Sequence, residues 1–248
     1  MALRENIEKQ GAWLFKHRSY LPLLTVPILF FALKEARVLA QMFGDSASDF
    51  WEAFSIMLSL VGLLVRGITA GYVPKGTSGR NTKWQVAETL NTTGMYSIVR
   101  NPLYLGNFII IFGITLFIQS WWFALLVWIS FWLYYERIIF TEEEFLRKKF
   151  NGQFTEWAAM TPAITPNFKN WVKPTTHFSL KTALRREFST FFAIVSTYFF
   201  LEITNNFLTK RKLLEHRSWM IFFIAGFVVY SVFLILKKKT KLLNVAGR

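Results

Sequence analysis

Six long apolar runs constrain this chain more than any other feature of its sequence. An α-helix needs about 20 apolar residues to cross a hydrocarbon core of about 30 Å. The runs cover residues 19–41, 50–73, 103–119, 120–140, 188–208 and 219–236. They are apolar on every side, whereas the strands of a membrane barrel alternate apolar and polar residues. We therefore predict an all-α, polytopic helical membrane protein with about six membrane segments.

The third and fourth runs are continuous in sequence and together are too long for a single span. A Gln-Ser pair at 119–120 interrupts them, and the pair Trp121–Trp122 follows. Tryptophan is enriched where a helix meets the lipid head groups. The sequence therefore predicts a tight central helical hairpin with arms at 103–119 and 120–140.

Basic residues are distributed unevenly around the predicted spans. The N-terminal tail and the 74–100 and 137–187 loops are basic, whereas the 42–50 segment contains two aspartates and no lysine or arginine. By the positive-inside rule, both long loops and both termini face the cytoplasm. The basic 210–217 segment would then lie outside, so either the rule is broken there or the last two segments do not both span.

The charge and the rare residue types exclude several classes of protein. The net charge is +14, and the basic residues flank apolar runs without forming a separate basic domain. This distribution favours anionic lipid head groups over nucleic acid as the partner. The chain has no cysteine, and His17, His177 and His216 lack the spacing of metal ligands. We therefore expect no metal site of the zinc type.

The 74–100 loop is the first polar segment with possible chemistry. It is rich in Gly, Ser, Thr and Asn and carries Lys75, Arg80 and Lys83. Backbone amides, hydroxyls and a guanidinium close together suit a phosphate or a carboxylate. The alternative is a solvated loop built from turn-forming residues.

The 137–187 loop opens with three consecutive glutamates that have a complete structural explanation. Thr141 followed by Glu144 matches a capping box, which predicts that a helix begins there. The pairs Glu143–Arg147 and Glu144–Lys148 have the i,i+4 spacing of helical ion pairs. By this reasoning the glutamates stabilise a helix and need no other role.

Two motifs that flank the predicted hairpin resemble a known enzyme superfamily. The segment "GMYSIVRNPLYLG" at 94–106 is similar to the Gly-x-Tyr-x-x-x-Arg-His-Pro-x-Tyr-x-Gly pattern of the isoprenylcysteine carboxyl methyltransferase and phospholipid methyltransferase superfamily. This chain also resembles the family's second motif. The matching residues are Glu142, Glu143, Leu146, Phe150, Gly152, Phe154, Trp157, the Thr-Pro at 161–162 and Pro166. The resemblance covers roughly residues 55–166.

The resemblance implies a binding site for S-adenosylmethionine at the cytoplasmic membrane surface, closed by the two motifs. The residues it implies for the cofactor are Asn101, Pro102, Tyr104, Leu105, Gly106, Asn107, Glu142 and Glu143. We predict Arg100, Glu143 and Arg80 as catalytic residues, and Arg66, Arg80, Asn81 and Tyr96 as contacts of the substrate.

Two departures from the family pattern bear on the reaction. Asn101 replaces the family's histidine, and asparagine forms hydrogen bonds but does not titrate near neutral pH. About 80 residues follow Pro166, where many family members end.

We divide the chain into an N-terminal membrane segment (1–48), a methyltransferase core (49–168) and a C-terminal extension with two further apolar helices (169–248).

The lack of a titratable base favours an acceptor that is already anionic. A carboxylate or phosphate oxygen needs no deprotonation, whereas an amine must first lose a proton. The 76–82 loop "GTSGRNT" also resembles bacterial relatives that methylate a lipid A phosphate, which implies a bacterial inner membrane. The alternatives are isoprenylcysteine carboxylate, the amine of phosphatidylethanolamine, and a non-enzymatic scaffold or transporter that uses Glu202, Asn205 and Asn206 at membrane depth.

Overall fold

The computed structural model of the chain describes residues 3–18, 20–34, 42–74, 87–211, 216–245 and 247. Regular structure in this part of the chain is helical throughout, which confirms the all-α prediction. The helices are α1 (Leu3–His17), α2 (Val26–Lys34), α3 (Asp45–Tyr72), α4 (Met95–Ile98), α5 (Pro102–Phe117), α6 (Trp121–Phe150), α7 (Gly152–Met160), α8 (Leu180–Lys210) and α9 (Arg217–Lys239). Short 3₁₀ turns at Leu21–Thr25 and Phe168–Asn170 connect some of them.

Four of these helices are long and apolar enough to cross a membrane, judged by length and composition: α3, α6, α8 and α9. Two predicted segments form shorter apolar helices, Leu23–Lys34 and Pro102–Phe117. At about 1.5 Å of rise per residue, the 16 residues of α5 extend about 24 Å, less than a hydrocarbon core of about 30 Å. The predicted number of six full spans is therefore not confirmed.

The central hairpin is confirmed, with arms α5 and α6. They are joined through Gln119, whose φ of 60° turns the chain back. The Phe108 and Phe131 rings lie 5.3 Å apart and the Tyr104 and Tyr135 rings 4.7 Å apart. These cross-arm contacts fix the register of the hairpin.

Helix α6 continues ten residues beyond the predicted end at residue 140, so the predicted capping box is wrong. Thr141 lies inside α6, and its hydroxyl donates a hydrogen bond to the Arg137 carbonyl at 3.0 Å. A capping box requires a helix start with unpaired backbone amides. Nothing interrupts α6 before Asn151, where φ reaches 44°.

Small residues let α3 and α5 approach closely. A Cβ atom on Gly62 would lie 2.6 Å from the Gly106 carbonyl oxygen, and one on Gly113 would lie 2.6 Å from the Ser55 carbonyl oxygen. Close backbone contact of this kind is typical of helix packing in membranes. Helix α5 consequently packs more extensively against α3 than against its hairpin partner α6.

Helix α8 of the C-terminal extension packs along α3. The Tyr198 hydroxyl donates to the Ser55 carbonyl at 2.7 Å and lies 2.8 Å from the Ser59 hydroxyl. Both bonds are buried, where a satisfied polar pair fixes one arrangement of the helices. Helix α9 packs on α8, where the Phe192 and Tyr230 rings stack at 4.6 Å.

Helix α1 lies against the C-terminal half of α6. A Cβ atom on Gly11 would lie 2.1 Å from the Arg137 carbonyl oxygen, so only glycine permits this contact. Arg4 forms an ion pair with Glu144, and Lys148 forms one with Glu8 at 2.8 Å.

The glutamate pairs at i,i+4 that the sequence predicted are replaced by other contacts. Glu144 pairs with Arg147 at i,i+3 and 3.5 Å, in addition to Arg4. Glu143 pairs with Arg100, which lies 43 residues earlier in the chain. Arg100 and Arg4 from other elements, together with Arg147 at i,i+3, therefore take the place of the predicted i,i+4 partners.

The two polar loops meet at one end of the helices. The Gly94 amide donates to the Val172 carbonyl and the Arg100 amide to the Pro162 carbonyl, both at 2.9 Å. The segment before α5 and the segment after α7 therefore share one end of the molecule. That this end faces the cytoplasm stays a prediction.

Single cysteines can test this orientation, because the native chain contains none. A cysteine replacing Thr155, which is exposed on α7, should resist an impermeant thiol reagent in intact cells and react after lysis. A cysteine replacing Ser78, outside the described residues, should behave in the same way. The matched control replaces Met42, which is exposed before the opposite end of α3 and should react in intact cells. The reverse pattern of labelling would overturn the orientation.

Candidate active site

Arg100 and Glu143 form the centre of the site. The Arg100 Nε and Nη2 atoms donate to the two Glu143 carboxylate oxygens at 2.9 and 3.1 Å. Its Nη1 atom donates to the Ala158 and Thr161 carbonyls at 2.8 and 2.9 Å. Both side chains are 17% exposed. The two-pronged contact therefore clamps the turn before α5 to the end of α6 and to α7.

The local sequence explains why Arg100 reaches this position. Gly94 has a φ of 61°, which favours glycine, and the backbone then forms the single turn of α4. Pro102 begins α5, where its missing N–H costs no helical hydrogen bond. The Ser97 hydroxyl donates to the Gly94 carbonyl at 2.7 Å and accepts from the Val172 amide at 2.9 Å.

Asn101 uses its amide group to support the same carboxylate. Its Nδ2 atom donates to Glu143 at 3.3 Å and to the Ala163 carbonyl at 3.1 Å. Asparagine therefore supplies two donors at the position where the family carries histidine.

Three consecutive glutamates have three different partners, since successive helical residues point about 100° apart. Glu142 accepts a hydrogen bond from the Tyr104 hydroxyl at 2.9 Å, Glu143 binds Arg100, and Glu144 faces Arg4 on α1. The second carboxylate oxygen of Glu142 makes no hydrogen bond within the described part of the chain.

Aromatic rings surround the Tyr104–Glu142 pair. The Tyr135 ring lies 4.7 Å from Tyr104, 4.1 Å from Phe131 and 5.0 Å from Tyr134. The buried Tyr134 hydroxyl has no hydrogen-bond partner among the described residues. Aromatic faces beside a carboxylate attract a cationic group.

Asn107 lies one turn beyond Tyr104 and joins a second buried ion pair. Arg66 Nη1 donates to its Oδ1 atom at 2.5 Å, and its Nδ2 atom donates to the Tyr135 hydroxyl at 3.3 Å. Arg66 also binds both oxygens of Glu187, at 2.8 and 2.9 Å.

Glu187 was missed by the sequence reasoning. The available signal was Arg66 itself, because an arginine inside an apolar membrane helix normally has a partner. Nothing in the sequence indicated which acidic residue supplies that partner.

Of the remaining predicted residues, two pack within α5 and two lie outside the described residues. A Cβ atom on Gly106 would lie 2.5 Å from the Arg66 side chain, so glycine is needed there for packing. Leu105 is half-buried beside it in α5. Arg80 and Asn81 lie outside the described residues.

A polar cavity of about 270 Å³ lies beside residues 89–96, the segment that leads to Arg100. Hydroxyl-bearing residues dominate its lining: Thr69, Tyr72, Thr89, Thr92, Thr93, Tyr96, Thr175 and Thr176. Burial, and then the Glu142 carboxylate, raise the pKa of the Tyr96 phenol, so this hydroxyl stays protonated at neutral pH and can donate. Tyr96, a predicted contact of the substrate, thus lies in the lining of this cavity.

The side chains of Thr89, Asn91, Thr92 and Thr93 line this cavity without hydrogen bonds to other described residues. The described residues that line it include no charged side chain. The cavity therefore offers neutral donors and acceptors to a ligand.

Two curated proteins are similar to this chain. The nickel-cobalt-cadmium resistance protein NccN of Alcaligenes xylosoxydans xylosoxydans is 27% identical over 176 residues, which are 71% of this chain and 77% of NccN. The cobalt-zinc-cadmium resistance protein CzcN of Cupriavidus metallidurans is 35% identical over 127 residues. That match covers 50% of this chain and spans 56% of CzcN. No solved structure is significantly similar.

The family comparison agrees with the geometry of the site. The matched segment runs from α3 through the hairpin to the start of α7 and contains both Arg100 and Glu143. It also contains Tyr104 and Glu142, which the structure brings into contact. Residues 53–153 of this chain match the phospholipid methyltransferase family, which supports the membrane methyltransferase superfamily that the two motifs resemble.

Proposed function

We propose that this protein is an S-adenosylmethionine-dependent methyltransferase whose acceptor is an anionic oxygen of a membrane lipid. The observation that carries the proposal is the meeting of the two motifs. Residues 94–107 and 142–143 lie far apart in sequence, yet Arg100 binds Glu143 and Tyr104 binds Glu142. Glu142 and Glu143 lie in α6, one of the four helices long and apolar enough to cross a membrane, which supports a lipid as the acceptor.

The residues around Tyr104 fit the cofactor. S-adenosylmethionine carries a sulfonium and an ammonium group, and one carboxylate oxygen of Glu142 accepts no hydrogen bond from the described residues. The rings of Tyr104, Tyr134 and Tyr135 offer faces to a cation. We assign the cofactor to these residues, to the start of α5 (Asn101, Pro102, Leu105, Gly106 and Asn107) and to Glu142 and Glu143.

When bound, S-adenosylmethionine would supply a methyl group on a sulfonium, which an acceptor oxygen would take with its own electron pair while the C–S bond breaks and the thioether keeps that bond's pair. The protein must hold these groups in line and exclude water. Arg100 and Glu143 hold the turn that carries Asn101, and Tyr96 can donate a hydrogen bond at the cavity.

The hydroxyl-lined cavity supports an oxygen-rich acceptor. Its volume of about 270 Å³ is below the roughly 300–1,000 Å³ of pockets that enclose a drug-sized ligand, so it suits a lipid head group better than the whole cofactor. The described lining has no charged side chain, so the preference among acceptors rests on the site's lack of a histidine base and on the sequence of the 76–82 loop. On these grounds we favour a phosphate, such as that of lipid A, over isoprenylcysteine carboxylate, and both over phosphatidylethanolamine. Arg80, Asn81 and Arg66 are our proposed substrate-side residues.

The names of the relatives are consistent with an anionic acceptor. Both are called resistance proteins for divalent metals. Methylation of a phosphate oxygen removes a negative charge from the membrane surface and so weakens its attraction for cations. Methylation of an amine leaves the negative charge in place. We place the protein in a bacterial inner membrane, with the site on the cytoplasmic side.

The competing function is a membrane scaffold or transporter. Glu202, Asn205 and Asn206 are buried in α8, and Asn206 donates to Glu202 at 2.8 Å. In the described part of the chain, no group of three or more His, Cys, Asp or Glu side chains could hold a metal ion. Calorimetric titration of the purified protein with S-adenosylmethionine separates the two functions, since only the enzyme binds it.

Radiolabelled methyl transfer to extracted native lipids, with the product identified by mass, tests the acceptor. We expect a methyl ester of a phosphate or carboxylate. An N-methylated head group as the main product would refute the anionic acceptor while leaving the methyltransferase assignment intact.

Arg80→Lys should reduce methyl transfer at least tenfold and leave the affinity for S-adenosylmethionine unchanged. A guanidinium binds a phosphate through two parallel hydrogen bonds, whereas lysine supplies a point charge. The same lipid assay measures the effect, and Arg211→Lys, at the far end of α8, is the control. Full activity of Arg80→Lys would remove this residue from the site.

A further inference from the structure

We infer that Glu187 is a positioning residue: through Arg66 it fixes the amide of Asn107 in the cofactor site. This inference rests on the proposed function, because it takes Asn107 as a cofactor contact. It also gives the C-terminal extension, residues 169–248, a part in that site, since Glu187 lies in α8.

The first step is the strength of the Arg66–Glu187 contact. Two parallel hydrogen bonds of 2.8 and 2.9 Å join the side chains, which are only 14% and 10% exposed. A two-pronged arginine–carboxylate contact fixes direction as well as distance. The orientation of the guanidinium is therefore set by α8, although Arg66 belongs to α3.

The second step is the remaining donor of Arg66. Its Nη1 atom points to Asn107 and lies 2.5 Å from the Oδ1 atom. A guanidinium can only donate, so the amide oxygen must face Arg66. The NH₂ group of Asn107 then faces the opposite side, where it donates to the Tyr135 hydroxyl.

The third step links this amide to the Tyr104–Glu142 pair. The Tyr135 ring packs edge-on against Tyr104 at 4.7 Å, and Tyr104 binds Glu142. A continuous set of contacts thus runs from Glu187 in the extension to Glu142 in the second motif. If Arg66 turned away, the Asn107 amide would lose the contact that orients it.

A purely structural role is the alternative, in which the ion pair only joins α3 to α8. The buried Tyr198–Ser55 and Tyr198–Ser59 contacts already join the same two helices. The two roles predict different results. A structural pin affects thermal stability, whereas a positioning residue affects cofactor affinity in a protein that remains folded.

The double variant Arg66→Met/Glu187→Met separates these roles. Replacing a buried ion pair by apolar residues of similar volume is often neutral for stability, so the melting temperature in detergent should stay close to that of the native protein. Calorimetric titration should nevertheless show at least tenfold weaker binding of S-adenosylmethionine. Native affinity in the folded double variant would overturn the inference.

Two further variants complete the test. Glu187→Gln keeps the shape and removes the charge; should the double variant fail to fold, tenfold weaker binding in folded Glu187→Gln supports the inference and native affinity overturns it. Tyr198→Phe, which removes the hydroxyl contacts of α8 with Ser55 and Ser59 of α3, should retain native affinity. If the native protein itself does not bind S-adenosylmethionine, the proposed function fails. If the native protein binds it and the variants bind it with the same affinity, only the role of Glu187 fails.

Discussion

Glu143→Gln should lower methyl transfer by about a hundredfold or more and weaken binding of S-adenosylmethionine at least tenfold. Glu143 accepts both hydrogen bonds of the Arg100 clamp and a third from Asn101. Breaking a buried ion pair costs about 3–5 kcal/mol, and each decade of affinity corresponds to about 1.4 kcal/mol. Part of the loss will appear as lower stability, because Arg100 also binds carbonyls at the end of α7.

The control for Glu143→Gln is the same substitution at the neighbouring residue, Glu144→Gln. Glu144 is also buried but faces Arg4 and Arg147, away from Arg100. Glu144→Gln should therefore weaken the contact between α1 and α6 and leave the affinity for S-adenosylmethionine near native. Tyr104→Ala, in contrast, should weaken binding of S-adenosylmethionine at least tenfold, because the contact with Glu142 is lost. Calorimetry on folded protein in detergent measures all three. Equal affinity of the Glu143 and Glu144 variants would contradict the assignment of the site.

Gly62→Ala should lower the melting temperature by roughly 5 °C or more. The added Cβ would lie 2.6 Å from the Gly106 carbonyl oxygen and 2.8 Å from the Ile110 amide nitrogen. Both are backbone atoms, so no side chain can move aside, and overpacking typically costs about 1–3 kcal/mol. For a chain of this size, 1 kcal/mol shifts the melting temperature by about 2–4 °C.

Gly67→Ala in the same helix is the matched control. A Cβ there meets no atom within 4 Å, and alanine in a helix is favoured over glycine by about 0.5–1 kcal/mol. We therefore expect opposite signs for the two substitutions in thermal unfolding of the detergent-solubilised protein. If Gly62→Ala proved as stable as Gly67→Ala, the close contact of α3 and α5 would be wrong.

Local patterns in the sequence were sufficient where a single segment decides the outcome. Apolar runs predicted helices because burial and internal hydrogen bonding leave a membrane segment few alternatives. The Gln-Ser pair at 119–120 predicted the hairpin turn, and Pro102 marked the start of α5 within one residue of the predicted position. The prediction of a site around Arg100 and Glu143 came instead from the resemblance of the two motifs to a known superfamily, and it stays a prediction.

The prediction of a capping box was wrong because α6 continues through the motif instead of beginning there. Thr141 and Glu144 have the right spacing, yet α6 runs through them and Thr141 donates to Arg137 one turn back. The face of α6 that carries Glu144 is covered by α1, with Arg4 against Glu144. Sequence spacing does not reveal which distant element will cover a face.

The sequence by itself determined the helices, the hairpin and the two motifs, because these depend on neighbours within a few turns. Only the tertiary structure decided which partner each of the three glutamates faces and that Glu187 binds Arg66 across 121 residues. The physical reason is that an isolated pattern specifies which side chains need a partner, such as an arginine in an apolar helix. The packing of α3, α5 and α8 determines which partner comes within hydrogen-bond distance.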